Sequence, residues 1–195
     1  MTYLQLALQM GGLPLAATIG WAAHAHRFRR DLDAARRDPL TGLHTRAGWT
    51  AQAERIISDP AAAVLLIDLD RFKRINDRYG HAAGDTILTA AASRLTAWCR
   101  PGEIAGRLGG DEFVAAVTGP GLDARLADLQ AALHQTVAID GRQIQLAASI
   151  GVSRVADLPE PTVSSALAAA DTDMYRIKGR GRRGHRLLSA VHLAA

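Results

Sequence analysis

The fold is decided by the stretch Arg107-Leu108-Gly109-Gly110-Asp111-Glu112-Phe113, which is followed by Val114-Ala115-Ala116-Val117. Two glycines and two carboxylates lie between short apolar runs, a pattern typical of a tight β-hairpin with acidic residues at its tip. Glycine readily adopts the positive φ angles that such a turn requires. The acids would suit a divalent cation, because Mg²⁺ prefers hard oxygen ligands. Taken alone, the same pattern also fits an ordinary turn whose acids are only solvated.

The segments on either side of this hairpin alternate between helical and extended patterns. Residues 62–69 form a continuous apolar run that ends in acids, which is typical of a buried strand. Residues 143–155 predict another strand, paired with residues 137–139 through the turn Asp140-Gly141. Helices are predicted over about residues 47–57, 87–99, 122–137 and 162–178. This order predicts an α/β (α+β) fold with a central, mostly antiparallel sheet of about five strands flanked by helices.

The N-terminus has a composition of its own. The first 26 residues contain no Asp, Glu, Lys or Arg, and the basic cluster Arg27-Phe28-Arg29-Arg30 follows directly. Residues 3–25 are long enough for a tilted transmembrane helix of ~20 residues. The positive-inside rule then predicts a single-pass anchor over residues 1–26 in the inner (cytoplasmic) membrane, with the remainder in the cytoplasm. The alternative is an amphipathic or partner-packing helix on a cytoplasmic protein. A basic linker helix is predicted over residues 27–37.

Composition and charge restrict the class of protein. The hydrophobic content of 48% and charged content of 22% are typical of a globular protein. The single cysteine, Cys99, excludes an internal disulfide and fits a reducing compartment. Much of the basic excess lies in two clusters, residues 27–30 and 178–186. Such clustering favours local roles at a membrane or a phosphate group, and no nucleic-acid partner is predicted.

Two acidic residues could act together at one edge of the predicted sheet. Asp68 closes the strand at residues 62–69, and Asp111 lies on the hairpin turn. If those strands are neighbours, both carboxylates reach one point. There they could hold two Mg²⁺ ions with the polyphosphate of a nucleotide, the arrangement needed for in-line phosphoryl transfer. Acids at strand ends are also often only solvated, so spacing alone leaves both interpretations open.

Five ordered blocks of the chain resemble the GGDEF family, the diguanylate cyclases. The hairpin letters Gly109–Phe113 are those that name the family. The other blocks are Asp38–Leu43, Asp68–Asp77 with Tyr79-Gly80-His81 and Gly84-Asp85, Ser149–Val152, and finally Asp171, Met174-Tyr175, Lys178 and Arg182. The resemblance implies a ferredoxin-like core of the nucleotidyl-cyclase palm type. It also implies a diguanylate cyclase domain over residues 38–187, followed by a tail over residues 188–195.

The resemblance further implies which residues carry the chemistry. Asp68, Asp111 and the main-chain carbonyl of Leu69 match the ligands of two Mg²⁺ (or Mn²⁺) ions per half-site. Asp111, alone or with Glu112, would deprotonate the ribose 3′-hydroxyl, as a general base or through the metal. Lys178 and Arg182 match cations that hold the triphosphate, with Lys178 counted among the catalytic residues.

A second set of residues is implied to bind the rest of the nucleotide. Asn76 and Asp85 match the residues that read guanine, and His81 matches a neighbour in the pocket. An aspartate accepts hydrogen bonds from the guanine N1–H and exocyclic amine, a donor pair that adenine lacks. The main chain at Phe72 and Lys73 would contact phosphate oxygens.

Some positions depart from the family pattern. Thr45 stands where Asn is usual, Asp173 replaces a small residue, and Gly179-Arg180-Gly181 differs in detail. The family's inhibitory product site is an Arg-x-x-Asp before the hairpin, whereas this chain has Arg100 and Glu103. The additional methylene moves the charge by more than about 1 Å. Whether product inhibition survives is left open.

The leading interpretation is therefore a diguanylate cyclase that condenses two GTP molecules into cyclic di-GMP and two pyrophosphates. Since each domain of this family holds one GTP, the resemblance implies a homodimer that presents each 3′-hydroxyl to the other α-phosphate. The alternative is a catalytically silent module that binds GTP or cyclic di-GMP, and the intact Asp111 and Glu112 argue against it. A cyclase for another nucleotide is a third interpretation, against which Asp85 argues. A cyclic di-GMP phosphodiesterase is not expected, because no residues remain to build its separate domain.

Overall fold

The computed structural model describes residues 35–191, with side chains as far as Lys178, and four isolated positions, Trp21, His24, His26 and Arg27. The anchor predicted over residues 1–26 and most of the predicted linker over residues 27–37 therefore lie outside the described residues. The side chain of Arg182 and the last four residues of the predicted tail lie outside them as well. Among the described helices, none is both long and apolar enough to cross a membrane. The compact unit that contains the sheet begins at Arg37.

A five-stranded sheet forms the centre of this unit, in the order β1-β3-β4-β2-β7. Its strands are β1 (His44–Thr45), β2 (Ala63–Leu69), β3 (Ile104–Gly109), β4 (Glu112–Val117) and β7 (Ala148–Arg154). Only β1 and β3 pair in parallel, and the other neighbours are antiparallel. Strands β5 (Thr136–Ile139) and β6 (Arg142–Gln145) form a separate hairpin. The predicted mixed fold with a mostly antiparallel sheet of five strands is confirmed.

Helices cover both faces of this sheet. They are α1 (Arg46–Ile56), α2 (Phe72–Tyr79), α3 (His81–Trp98), α4 (Leu122–Leu133) and α5 (Val163–Val191). Leu65 and Ile67 of β2 belong to a core shared with α3 and α4. Val64 and Leu66 pack on the other side, against α1 and α5. Because side chains alternate along a strand, Asp68 continues the second series and projects toward the face that α5 covers.

The boundaries predicted on either side of the β5–β6 hairpin were wrong. The helix predicted over residues 122–137 ends at Leu133, since Thr136 begins β5. The guanidinium of Arg94 donates to the carbonyls of Gln135 and Thr136, at 2.9 Å each, and thereby holds this segment outside the helix. The strand predicted over residues 143–155 is two strands, β6 and β7, which belong to different sheets.

The helices around the ends of β2 and β7 also differ from the sequence-based expectation. Helix α2 was not predicted, because it is only eight residues long and its N-cap, Arg71, makes no side-chain capping hydrogen bond. The last helix was predicted to end near Lys178 but continues to Val191. Gly84, interpreted as part of a turn, lies inside α3 and is buried.

Helix α5 approaches the backbone of β7 closely at Gly151. A Cβ atom at this position would lie 2.0 Å from the carbonyl oxygen of Ala170 and 2.6 Å from both the amide nitrogen and the Cβ of Met174. Two of these three atoms belong to the helix backbone, which cannot rotate away as a side chain can. The absence of a side chain at Gly151 therefore sets the distance between α5 and the sheet.

We expect Gly151→Ala to lower the free energy of unfolding by about 1–3 kcal/mol, because the added methyl group overpacks a contact made by backbone. Urea unfolding followed by circular dichroism would measure this. The control is Ser153→Ala, on the same face of β7, whose buried hydroxyl has no hydrogen-bond partner among the described residues. That variant should lie within about 0.5 kcal/mol of the wild type. Equal stability of the two variants would contradict the close-approach argument.

Candidate active site

Asp68 and the hairpin acids lie at the same edge of the sheet. Asp68 is the penultimate residue of β2 and stands opposite Glu112 in the ladder between β2 and β4. Asp111 precedes Glu112 at the hairpin tip, and its carbonyl accepts a hydrogen bond from the N–H of Leu69 at 3.2 Å. Gly110 has a φ of 52°, as expected for a turn built on glycine. The predicted hairpin with an acidic tip is confirmed.

Negative charge accumulates at this edge, which we call the acidic edge (Asp68, Asp111 and Glu112). Burial raises the pKa of Asp111 above its ordinary value, and the negative charge of Asp68 raises it further, although Lys178 and Arg107 partly oppose this. The ammonium of Lys178, on α5, lies 2.7 Å from Oδ1 of Asp68. The acidic edge is therefore a place where additional positive charge would be stabilised.

The residues of the acidic edge fit a divalent metal of the magnesium type. Asp68 and Asp111 provide carboxylate oxygens, the donors that Mg²⁺ and Mn²⁺ prefer. The pKa of Asp111 is raised mainly by burial and further by the charge of Asp68, and a bound cation would offset both effects. Within the part of the chain that the structure describes, no three His, Cys, Asp or Glu side chains cluster as a ready metal site. Further ligands would therefore be carbonyl, water or phosphate oxygens, as is usual for Mg²⁺.

Arg107 connects the hairpin tip to the turn that opens the folded unit. Its guanidinium donates to the carbonyl of Gly110 at 2.7 and 3.0 Å, and to the Asp38 carboxylate at 3.1 and 3.3 Å. Asp38 also accepts hydrogen bonds from the N–H and hydroxyl of Thr41. Burial alone would raise the pKa of Asp38, but the hydrogen bonds from Thr41 and Arg107 lower it below the ordinary value. Sequence reasoning assigned no role to Arg107, whose partner lies 69 positions away.

A second group of predicted residues surrounds the start of α3. The side-chain oxygen of Asn76 is buried and has no hydrogen-bond partner among the described residues. It lies against Gly84, where a Cβ atom would be only 1.9 Å from it, and the ring of Phe72 lies 3.1 Å from the same point. Asp85 follows Gly84 and is exposed, as is His81 at the first position of α3. The structure thus groups the predicted guanine-reading residues around a glycine whose role was missed.

The two groups of residues are joined by a very short connection. Helix α2 begins with Phe72, three residues after β2 ends at Leu69. Four residues of extended chain span at most about 14 Å, which is the greatest distance between the Cα atoms of Asp68 and Phe72. Lys73, next in α2, is exposed. A ligand of nucleotide size could therefore contact both the acidic edge and the start of α2.

Lys178 and Arg182 occupy successive turns of the same helix. Lys178 lies in α5, and Arg182 follows it by four residues within that helix. A helix turns once in 3.6 residues, so the two positions lie on one face, about 6 Å apart along the axis. The backbone therefore places these two positions on the same side of α5.

Glu103 faces the protein interior, whereas Arg100 is exposed. The Glu103 side chain is only 2% exposed, and its two oxygens accept from the guanidinium of Arg125 at 2.6 and 2.8 Å. The same carboxylate accepts hydrogen bonds from the N–H groups of Arg100 and Thr118, at 2.7 and 3.2 Å. Arg125 also covers the ring of Trp98 at 4.6 Å. The structure therefore does not bring Arg100 and Glu103 together as a pair of side chains facing solvent.

The environment of Glu103 also sets its protonation. Burial alone would raise the pKa of Glu103, but the hydrogen bonds from Arg125 and from the N–H groups of Arg100 and Thr118 lower it below the ordinary value. The stabilisation from this ion pair is therefore complete above the unfolded-state pKa of about 4.3. It is lost as the pH falls through the lower, folded-state pKa.

We expect Glu103→Gln to lower the free energy of unfolding at pH 7 by about 3–5 kcal/mol, because Arg125 would be left buried and unpaired. The difference from the wild type should shrink as the pH falls through the lowered folded-state pKa of Glu103, where the wild-type side chain becomes protonated. Urea unfolding across this pH range measures both effects. The control is Asp123→Asn, which removes an exposed ion pair with Arg154 and should cost less than about 1 kcal/mol. A loss that does not depend on pH would contradict the ion-pair assignment.

The chain is similar to known proteins over a range that includes all of these residues. A family model described as "Diguanylate cyclase, GGDEF domain" matches residues 35–184. The match includes the acidic edge, the residues around Gly84, and Arg182. The sequence-based resemblance to this family is thereby confirmed.

Individual relatives agree with the family match. The chain is 59% identical over 176 residues to an "Uncharacterized 19.3 kDa protein in repSA 5′ region" of Streptomyces ambofaciens, covering 89% of this chain and 93% of that protein. It is 38% identical over 163 residues to "Diguanylate cyclase TpbB" of Pseudomonas aeruginosa (strain UCBPP-PA14), covering 78% of this chain but only 37% of that relative. The chain thus spans little more than a third of that relative's length.

A solved structure shows the same fold. A sensory box/GGDEF family protein from Caulobacter crescentus CB15 superposes with a TM-score of 0.69 at 35% sequence identity. The superposition covers 74% of this chain and 99% of that one. The sheet that carries the acidic edge is therefore shared with a protein of known structure.

Proposed function

This chain belongs to the GGDEF-domain family of diguanylate cyclases, and on that basis we propose that it condenses two molecules of GTP into cyclic di-GMP and two pyrophosphates. One observation carries the proposal: Asp68 and Asp111 lie at one sheet edge, with the ammonium of Lys178 beside Asp68. Phosphoryl transfer depends on metal ions, which paired carboxylates can hold, and on cations such as lysine that neutralise phosphate charge.

The acidic edge would handle the reacting groups. Asp68, Asp111 and the carbonyl of Leu69 would hold Mg²⁺ or Mn²⁺, which when bound polarises phosphate oxygens and makes a hydroxyl more acidic. Asp111, alone or with Glu112, would take the proton of the ribose 3′-hydroxyl, either as a general base or through the metal. Lys178, with Arg182 one turn further along α5, would neutralise the triphosphate.

The residues around Gly84 would hold the guanine base. The unpartnered oxygen of Asn76 and the exposed carboxylate of Asp85 are hydrogen-bond acceptors close to each other in the fold. Guanine offers two adjacent donors, the N1–H and the exocyclic amine, whereas adenine does not. Discrimination of this kind is strong, because the wrong base leaves polar groups of the site unpaired.

The product requires two copies of the chain. Cyclic di-GMP contains two guanylate units, and one acidic edge would bind one GTP, so two chains would face each other during the reaction. The anchor predicted over residues 1–26 would favour such encounters by confining copies to a membrane, and it remains a prediction. Fractionation of cells that produce the full chain would test it, since recovery only in the soluble fraction would contradict it.

Turnover is the first test of the proposed function. We expect the full chain, incubated with GTP and Mg²⁺, to produce cyclic di-GMP and pyrophosphate, which chromatography would resolve, and to leave ATP unchanged. Asp111→Asn should lower the rate by about 10³-fold or more while the protein still folds, because it removes a metal ligand and base. The matched control is Asp123→Asn, an exposed aspartate in α4. Binding of GTP without turnover, even at concentrations that favour dimers, would identify the silent binding module instead.

Gly84→Ala tests the guanine site separately. The new methyl group would displace the Asn76 amide, which can rotate away, so stability should change by less than about 1 kcal/mol. The loss of one good hydrogen bond to guanine should raise the KM for GTP about tenfold, with a smaller effect on kcat. In an Asn76→Ala background the same substitution should have no further effect. An unchanged KM for GTP would show that Asn76 does not contact the base.

A further inference from the structure

The turn of α5 that carries Lys178 extends beyond the packed part of the helix. Met174 is buried, but Tyr175 is 78% exposed and Ile177 is 43% exposed. Lys178 itself is half-buried, with its ammonium against Asp68. The position of this turn is therefore set chiefly by the contacts that the helix makes immediately before it.

Those contacts are made with β7. The close approach at Gly151 brings Ala170 and Met174 onto the strand. Next to it, Oδ2 of Asp173 accepts a hydrogen bond from the N–H of Val152 at 3.1 Å. Among the described strands, β7 is at the edge of the sheet, so none of them lies on that side to pair with this N–H. A hydrogen bond to a carboxylate is stronger than one between neutral groups, so Asp173 fixes one point of the helix to one point of the strand.

The geometry links this point to Lys178. Val152 pairs with Leu65 of β2, and Asp68 lies three residues further along that strand, about 10 Å away. From Asp173 to Lys178 the helix advances five residues, about 7.5 Å, and the long lysine side chain covers the remainder. A register shift of one residue would rotate the helix by about 100° and move Lys178 away from Asp68.

We propose that Asp173 is a positioning residue for Lys178. Its hydrogen bond to Val152 sets the rotation and height of α5 on the edge strand, and this alignment presents the ammonium of Lys178 to Asp68. Arg176, whose guanidinium lies 3.6 Å from Oδ1 of Asp173, helps to orient the carboxylate. The effect on turnover rests on the proposed function, whereas the alignment of the helix does not.

Hydrogen exchange tests the alignment without any nucleotide. In the full chain, the amide of Val152 should exchange at least about tenfold faster in Asp173→Ala than in the wild type, and the segment 174–178 should exchange faster as well. Asp173→Asn keeps an acceptor oxygen and should restore most of the protection. The matched control is Thr172→Ala, because that exposed hydroxyl donates to the Ala168 carbonyl of its own helix. Equal protection of Val152 in Asp173→Ala and the wild type would overturn the proposal.

A double-mutant cycle tests the link to Lys178. Asp173→Ala should lower kcat/KM for GTP about tenfold in the wild type, and should have no further effect in a Lys178→Met background. Asp173→Asn should restore most of the wild-type kcat/KM. If the double variant instead loses the product of the two single fold-changes in kcat/KM, the proposal is contradicted. If the wild type makes no cyclic di-GMP, the proposed function fails, and exchange at Val152 still decides whether Asp173 aligns the helix.

Discussion

The candidate site depends on the register in which β2 pairs with its two neighbours. That register places Asp68 opposite Glu112 on one side and Ser149 on the other. A slip of one residue would turn Asp68 into the apolar face that α3 and α4 cover, and would bring Ile67 to the face of α5. Strand β2 is buried on both faces, so such a slip would disrupt the packing of the core as well as move Asp68 out of the site. The register that packs the core is therefore also the one that places Asp68 in the candidate site.

Negative charge is also concentrated at the acidic edge, where β2 and the hairpin tip meet. Lys178 pairs with Asp68, and Arg107 holds the hairpin tip through the carbonyl of Gly110. Neither cation removes the unfavourable environment of Asp111, whose pKa remains raised. Functional sites are often locally unfavourable until a ligand binds. The packed strands beneath this edge provide stability that compensates for it.

The sequence predicts those parts that rest on local patterns. The glycine pair identified the hairpin, and the apolar run at residues 62–69 identified β2. Helix α2 was missed because it is short and lacks a capping side chain. The roles of Arg107 and Asp173 were missed for another reason: their partners lie 69 and 21 positions away, and only the folded chain brings them together. The inward orientation of Glu103 likewise depends on Arg125, a residue that no local pattern connects to it.

The hydrogen bond between Asp173 and Val152 has a consequence for self-association. An edge strand with free N–H groups is a template on which another chain can add a strand, and uncontrolled growth of this kind leads to aggregates. Asp173 covers such a group on β7, and the opposite edge, β1, is only two residues long. Each edge of this sheet therefore offers fewer free backbone groups to another chain than a long, uncovered edge strand would. For a chain proposed to act as a pair, this favours contact between the copies through side-chain surfaces, which can separate again, over a continuous sheet.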